Sequence, residues 1–185
     1  NSSKKLRIIG RAGVGVDNVD VKAATQKGVL VVNSPGGNTI AAAEHTIAMM
    51  LALSRNIPIA NSSTFLGKWE RKKFVGNELF KKKLGVVGLG KIGTHVAKVA
   101  NALGMDVYGY DPFVSSERAQ QLQVKLSELK TLFAESDYVT LHLPRTSETE
   151  NLVDMKVLKS MKNNAKLINC ARGGIIDEEA LAEAL

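Results

Sequence analysis

Residues 83–100, KLGVVGLGKIGTHVAKVA, are the stretch that decides the fold. An apolar run typical of a buried strand leads into a turn with glycines at 88, 90 and 93, and apolar residues then recur at helical spacing. In such a turn Gly88 permits the tight bend, Gly90 lets the backbone approach a pyrophosphate, and Gly93 lets the helix pack close to the strand. The order strand, glycine-rich turn, helix therefore predicts a dinucleotide-binding βαβ unit.

Asp111 ends the next predicted strand, at about the 20-residue separation expected for a carboxylate that binds the adenosine ribose. A carboxylate accepts hydrogen bonds from both ribose hydroxyls and repels a 2′-phosphate, so NAD is favoured over NADP as the cofactor. The alternative is a turn-forming Asp before Pro112, which is compatible with the ribose role.

The rest of the chain alternates short apolar runs with helical patterns, which predicts an α/β fold with a doubly wound parallel sheet. Residues 39–55 predict a helix buried nearly all round. Residues 56–80 are polar and predict a connecting arm in which Trp69 and Phe74 are the only large anchors. The further predicted strands are residues 6–10, 29–32, 83–88, 105–110, 138–143 and 165–170, and the further predicted helices are residues 21–26, 116–121, 127–134 and 153–161.

The composition excludes several classes of protein. The chain has 185 residues, of which 44% are hydrophobic and 23% charged, and this excludes a disordered or fibrous chain. The longest wholly apolar run, residues 47–53, is far shorter than the roughly 20 residues of a membrane span. One cysteine and three scattered histidines give neither an intrachain disulfide nor a metal-ligand spacing. We expect no membrane partner, no metal, and a reducing compartment, either the cytoplasm or a plastid.

The net charge of +7 raises the question of nucleic-acid binding. The lysines and arginines gather in two short runs, residues 68–73 and 81–83, with little aromatic interleaving and no helix-turn-helix or zinc-finger spacing. We expect no nucleic-acid partner. A solvated face and attraction for an anionic cofactor or substrate are the two remaining interpretations.

Arg172 follows the last predicted strand, at the end where open α/β sheets bind their ligands. A guanidinium there can hold a carboxylate bidentately and polarise a neighbouring carbonyl, and the alternative is a surface arginine in a turn. The histidines at 45, 95 and 142 are interpreted as structural, with cofactor contact as the alternative for His142. Cys170 fits a small wall of the cofactor pocket better than a nucleophile.

Four segments of the sequence resemble the D-2-hydroxyacid dehydrogenases, and the resemblance extends over essentially the whole chain. It implies a Rossmann-type NAD-binding domain with a remnant of a flavodoxin-like substrate domain. Residues 1–37 would be the end of the substrate domain, and residues 38–185 the NAD-binding domain, with a crossover helix and arm at 38–75. The matching segments are residues 11–18 (RAGVGVDN), 68–74 (KWERKKF), 88–93 (GLGKIG) and 169–174 (NCARGG).

The resemblance implies NAD-dependent oxidation of 3-phospho-D-glycerate to 3-phosphohydroxypyruvate, the first step of serine biosynthesis, or of a related small 2-hydroxy acid. It makes Arg172 the catalytic arginine and places Arg11 and Asn38 on the substrate side. It also implies a homodimer or homotetramer, formed through residues 39–55 and the arm. The cofactor-side positions that it implies are Val14, Gly88, Gly90, Lys91, Ile92, Gly93, Asp111, His142, Leu143, Pro144, Thr149, Cys170, Ala171 and Arg172.

The family's catalytic arginine works with a Glu and a later His, and neither has a match in these residues. We therefore expect the chain to be an inactive excerpt, truncated at the C-terminal end of the NAD-binding domain. Two other functions stay open. One is another D-2-hydroxyacid dehydrogenase of the glyoxylate or hydroxypyruvate reductase type, and the other is a non-catalytic NAD(H)-sensing protein similar to the family's corepressor relatives.

Overall fold

The computed structural model describes residues 5–185, which divide into two compact units between residues 41 and 42. The first unit contains strand β1 (Ile8–Arg11), helix α1 (Val21–Gln26) and strand β2 (Leu30–Asn33). The two strands pair in parallel, with Ile8 opposite Leu30. The Asp20 side chain caps α1 by accepting a hydrogen bond from the Ala23 amide at 2.8 Å.

The second unit is built on a five-stranded parallel sheet. Its strands are β3 (Lys83–Val87), β4 (Asp106–Tyr110), β5 (Lys125–Leu126), β6 (Tyr138–Leu141) and β7 (Lys166–Asn169). The spatial order is β5-β4-β3-β6-β7, and every pair is parallel. The sheet grows outward from β3 in both directions, so the predicted doubly wound topology is confirmed.

Seven further helices accompany the strands in the described part of the chain. Two of them, α2 and α3, follow each other directly and are succeeded by a 3-10 turn at Arg71–Phe74. The helices are α2 (Thr39–Ser54), α3 (Ile57–Phe65), α4 (Lys91–Ala102), α5 (Ser116–Gln121), α6 (Leu129–Glu135), α7 (Met155–Ser160) and α8 (Glu178–Ala184).

Helices cover both faces of the sheet. Alternate residues of β3 point to opposite faces and therefore belong to two different buried clusters. Leu84 and Val86 belong to one buried cluster, which also contains residues of α2 and α4. Val87 belongs to a second cluster with Leu132 and Phe133 of α6. Parallel strands buried on both faces are typical of α/β proteins.

Three predictions from the sequence are wrong in detail. Residues 56–80 are not a plain arm, because they contain α3, and Trp69 is no anchor, since 83% of it is exposed. Helix α2 is not buried all round, because Met49 and Leu53 are each more than 40% exposed in this chain. The two-residue edge strand β5 was not predicted, since its Lys-Leu sequence gives no apolar run.

No helix in the described residues is both long and apolar enough to span a bilayer.

Candidate functional site

The carboxyl ends of the parallel strands bring most of the predicted site residues to one edge of the sheet. Gly88 directly follows β3, and Asp111 directly follows β4. His142 and Cys170 directly follow β6 and β7. The chain leaves β3 for β4 on one side and later returns to β6 on the other, and open α/β sheets bind ligands at such a switch point.

The glycine-rich turn is closely packed at two of its glycines and open at the third. Gly88 has φ = 94°, and an ideal Cβ there would lie 2.6 Å from the His142 carbonyl oxygen. An ideal Cβ at Gly93 would overlap the carbonyl oxygen of Gly88. Gly90, in contrast, has nothing within 4 Å of an ideal Cβ. The turn therefore presents bare backbone to open space at Gly90 alone.

Helix α4 begins at this open position. No side chain among the described residues caps its start, and Gly90 is the N-cap. The first amides of a helix, here those of Lys91, Ile92 and Gly93, have no intrahelical partner and carry the positive end of the helix dipole. This arrangement fits the pyrophosphate of a dinucleotide.

Asp111 joins the glycine-rich turn to the loop after β4. Its Oδ2 accepts a hydrogen bond from the Leu89 amide at 2.8 Å, and its Oδ1 accepts one from the Phe113 amide at 2.9 Å. A carboxylate has about four acceptor positions, so each oxygen keeps a position for a ribose hydroxyl. The group therefore fits the ribose end of a dinucleotide while it also holds the turn in place.

His142 is a neutral, largely buried side chain at the end of β6. Its amide donates to the Val87 carbonyl at 2.8 Å, and its Nε2 lies 3.1 Å from the Thr140 hydroxyl. Burial lowers the pKa of His142 from 6.5 to about 4. The imidazole is therefore uncharged at neutral pH.

The loop after His142 is organised by Thr149. The Thr149 hydroxyl donates to the Pro144 carbonyl at 2.6 Å and accepts from the Thr146 amide at 2.8 Å. Leu143 packs against the second buried cluster, and Pro144 is exposed. The side chain of Thr149 thus holds the backbone of this loop between Pro144 and Thr146.

The loop that carries Arg172 is closed by Asn169, the last residue of β7. The Asn169 side chain donates from its Nδ2 to the Arg172 carbonyl at 2.8 Å, and its Oδ1 accepts from the Ala171 amide at 3.0 Å. Arg172 Nη1 also donates to the Ala171 carbonyl at 2.8 Å. The role of Asn169 was not predicted, although an Asn that follows an apolar strand is a known turn signal. Cys170 packs against the first buried cluster.

Three predicted positions, Arg11, Val14 and Asn38, lie in the first compact unit, which ends at residue 41. Arg11 Nε donates to the Asn18 Oδ1 at 3.0 Å, and the Asn33 side chain donates to the Val14 carbonyl at 2.8 Å. Asn38 is exposed just before α2. In this unit, therefore, a cationic side chain stands at the carboxyl end of β1.

The two remaining histidines lie on helices. His45 is exposed on α2, and the prediction that it sits in a buried helix is wrong because α2 buries only one of its faces. His95 is half-buried on α4. Within residues 5–185, no group of three or more His, Cys, Asp or Glu side chains is placed to hold a metal ion.

The sequence of residues 47–185 matches the family model described as "D-isomer specific 2-hydroxyacid dehydrogenase, NAD binding domain". The chain belongs to this family, and the predictions of a Rossmann-type domain and of NAD as cofactor are confirmed.

Curated relatives of the chain are more specific in name. A protein of Synechocystis sp. named D-3-phosphoglycerate dehydrogenase is 61% identical over 184 residues, which are 100% of this chain and 33% of that protein. A protein of Arabidopsis thaliana, named D-3-phosphoglycerate dehydrogenase 2, chloroplastic, is 48% identical over 98% of this chain and 29% of its own length. The chain therefore spans about a third of the length of the curated relatives that it matches.

Among solved structures, a D-lactate dehydrogenase from Aquifex aeolicus complexed with NAD and lactic acid has a TM-score of 0.87 and 34% identity. The match covers 98% of this chain and 54% of that one.

Proposed function

We propose that this chain, within a protein of the length of its curated relatives, oxidises 3-phospho-D-glycerate to 3-phosphohydroxypyruvate with NAD, the first step of serine biosynthesis. The observation that carries the proposal is the position of the Arg172 loop, at the same sheet edge as the glycine-rich turn and Asp111. The names of the relatives from Synechocystis and Arabidopsis support the choice of substrate.

The chain's own residues divide the binding of NAD between them. The open backbone at Gly90 and the first amides of α4 bind the pyrophosphate, and Asp111 accepts hydrogen bonds from the ribose. His142, Leu143, Pro144 and Thr149 form the wall on the β6 side. Cys170 and Ala171 line the nicotinamide end, and Val14 is a further proposed cofactor-side residue. Bound NAD supplies the hydride acceptor.

Arg172 is the proposed catalytic residue. Its guanidinium holds the substrate carboxylate and polarises the C2 oxygen, which stabilises the charge that develops there. The fork of two N–H groups makes the contact directional, so a lysine would not replace it fully. Arg11 and Asn38 are proposed substrate-side residues. The cationic Arg11 suits a phosphorylated acid, as does the chain's net charge of +7.

The division of the chain into domains is also a proposal. Residues 1–37 would belong to the substrate domain and residues 38–185 to the NAD-binding domain, with the crossover helix and arm at 38–75. The family match from residue 47 onward and the compact unit that begins at Ala42 support a boundary in this region.

A homodimer or homotetramer is proposed as the working form. Seven large apolar side chains on the consecutive helices α2 and α3 are exposed in the single chain: Ile40, Met49, Leu51, Leu53, Ile57, Ile59 and Phe65. Exposed apolar residues in such numbers favour a protein partner, and a second copy of the chain is the simplest one. The proposed compartment is the cytoplasm or a plastid.

The deciding experiment measures NADH formation by absorbance with the full-length protein, using 3-phospho-D-glycerate, D-glycerate and D-lactate at matched concentrations. We expect turnover that favours the phosphorylated acid, and a loss of about 100-fold or more in kcat for Arg172→Ala. The exposed Arg118→Ala variant on α5 is the matched control. The 185-residue chain is assayed beside them and is expected to be inactive.

Two other results of this experiment would each favour a different function. Faster turnover of D-lactate or D-glycerate would replace the proposed substrate with another 2-hydroxy acid, a choice that the likeness to the D-lactate dehydrogenase also supports. The absence of turnover, together with a partner that binds only with NADH, would favour an NAD(H)-sensing protein.

A further inference from the structure

The loops that follow β6 and β7 are joined by backbone hydrogen bonds. The Asn151 amide donates to the Gly174 carbonyl at 2.8 Å, and the Val153 amide donates to the Ile175 carbonyl at 3.1 Å. Val153 and Ile176 also form a parallel bridge, and both are buried. The first loop begins at His142 beside the glycine-rich turn, and the second contains Arg172. The two loops therefore form a connected layer at the carboxyl edge of the sheet.

The side chain of Arg145, in the first loop, also contacts the second loop. The position of an ideal Cβ at Gly174 lies 3.0 Å from both Cζ and Nε of Arg145, so the guanidinium packs directly on the bare backbone of Gly174. Gly174 has φ = 77°, a left-handed conformation that disfavours other residues. Arg145 thus closely approaches the position that the Cβ of any other residue at 174 would take.

Glu150 fixes the direction of the Arg145 guanidinium. Arg145 Nη2 donates to the Glu150 Oε1, and the two charges form an ion pair. Both side chains are about half exposed, so the pair by itself adds little to stability. The Glu150 carboxylate offsets the charge of the Arg145 guanidinium. Arg145 is therefore better suited to hold the backbone of Gly174 in place than to bind a substrate anion.

We propose that Arg145 is a positioning residue that holds the Arg172 loop by packing on Gly174, and so sets the place of the catalytic guanidinium relative to the cofactor side of the site. This inference rests on the proposed function of Arg172. The contact links the loop after Pro144, through the Arg145 side chain, to the backbone of Gly174, which is two residues from Arg172. The Asn169 side chain holds the other end of the same loop, at Ala171 and Arg172.

The planar shape of the guanidinium distinguishes this role from a purely electrostatic one. A lysine at 145 could keep an ion pair with Glu150, but it has no flat group to cover Gly174. The inference therefore predicts that Arg145→Lys fails to restore what Arg145→Ala loses.

The test uses the full-length protein and three variants: Arg145→Ala, Arg145→Lys and the control Arg118→Ala, whose arginine bonds to Gln121 on α5. Steady-state kinetics with 3-phospho-D-glycerate give kcat and both KM values. We expect kcat to fall about tenfold in both Arg145 variants, since small misplacements of a catalytic group are costly. The KM for NAD and the kinetics of Arg118→Ala should stay within about twofold of wild type.

Hydrogen exchange of single amides supplies a readout that does not depend on turnover. In Arg145→Ala we expect about tenfold faster exchange at Asn151 and Ala171, whose amides bond within the joined loops, because the layer opens more often. The His142 amide, bonded to β3, should be unchanged.

The outcomes separate this inference from the proposed function. Wild-type kcat in Arg145→Ala, full rescue by lysine, or unchanged exchange at Asn151 and Ala171 would each overturn the role of Arg145. A wild-type protein that oxidises no 2-hydroxy acid would instead overturn the proposed function. In that case faster exchange in Arg145→Ala would still establish the packing of the two loops.

Discussion

At the scale of single residues, Asp111 has two tasks that substitution can separate. It accepts hydrogen bonds from the Leu89 and Phe113 amides, and it is proposed to bind the ribose. Asp111→Ala removes both, and we expect NADH affinity to fall at least about tenfold, since a hydrogen bond to a charged group contributes about 1.5–3 kcal/mol. Fluorescence titration of the full-length protein with NADH measures this.

Asp111→Asn is the informative companion variant. The asparagine oxygen can still accept one amide hydrogen. The side chain is neutral, however, so the repulsion between the aspartate charge and a 2′-phosphate is lost. The ratio of NADPH to NADH affinity should therefore rise relative to wild type. An unchanged ratio would contradict the ribose assignment, even if both affinities fall.

The burial of His142 predicts that the stability of the folded chain depends on pH. Burial lowers its pKa to about 4 in the folded chain, whereas the unfolded chain takes up the proton near the ordinary value of 6.5. The unfolded state therefore binds more protons between these values, and stability is lost as the pH falls from 6.5 towards 4. The contribution is at most about 3 kcal/mol.

Urea unfolding at pH 7 and pH 4.5 tests this dependence. Carboxylates titrate in the same window, so the comparison is between wild type and His142→Gln, with exposed His45→Gln as the control. His142→Gln should lose less stability on acidification than wild type does. Equal losses in all three proteins would show that His142 is not shielded from solvent.

At the scale of elements, the β3–α4 turn predicts opposite effects for two glycine substitutions. In Gly93→Ala the new Cβ overlaps the Gly88 carbonyl, so α4 must move away from β3, and we expect a destabilisation of about 2–3 kcal/mol. In Gly90→Ala the Cβ enters open space, so stability should be nearly kept while NADH affinity falls. Denaturant unfolding and NADH titration of both variants give the comparison, and a stable Gly93→Ala protein would contradict the packing.

Strong periodic patterns made much of the fold predictable at this scale. The buried runs of β3, β4, β6 and β7 stand out because parallel strands covered on both faces are continuously apolar. Helix α3 did not stand out, because its sequence IPIANSSTF gives almost no apolar face and only Ser63 is buried. The sequence did not predict the exposure of α2, because a helix that is apolar all round can lie either in the core of one chain or at an interface between chains.

The candidate site shows the same division. Gly88, Gly90, Gly93 and Asp111 were predicted because their spacing is imposed by the shape of a dinucleotide. Asn169 and Arg145 were not, since each acts through a contact with backbone of a loop. Such a contact leaves no periodic signal in a single sequence.

At the scale of the whole molecule, the exposed apolar residues of α2 and α3 predict an oligomer that a charge can disrupt. Leu53→Asp places a carboxylate in the proposed interface, where burial without a partner is costly. Light scattering after size exclusion should show dimers or tetramers for the full-length wild type and a smaller species for the variant. The exposed Val75→Asp, outside both helices, is the control. A monomeric wild type would contradict the proposed assembly.

The central position of β3 has a consequence for the order in which the chain folds. Leu89 and Asp111, which join the turn to the neighbouring strand, are 22 residues apart, whereas Lys83 meets the Asp137 carboxylate across 54 residues. Because closing a longer loop costs more entropy, we expect β3, α4 and β4 to assemble before β6 and β7 arrive. A growing chain would then form the proposed pyrophosphate and ribose sites before β7, which precedes the Arg172 loop, has joined the sheet.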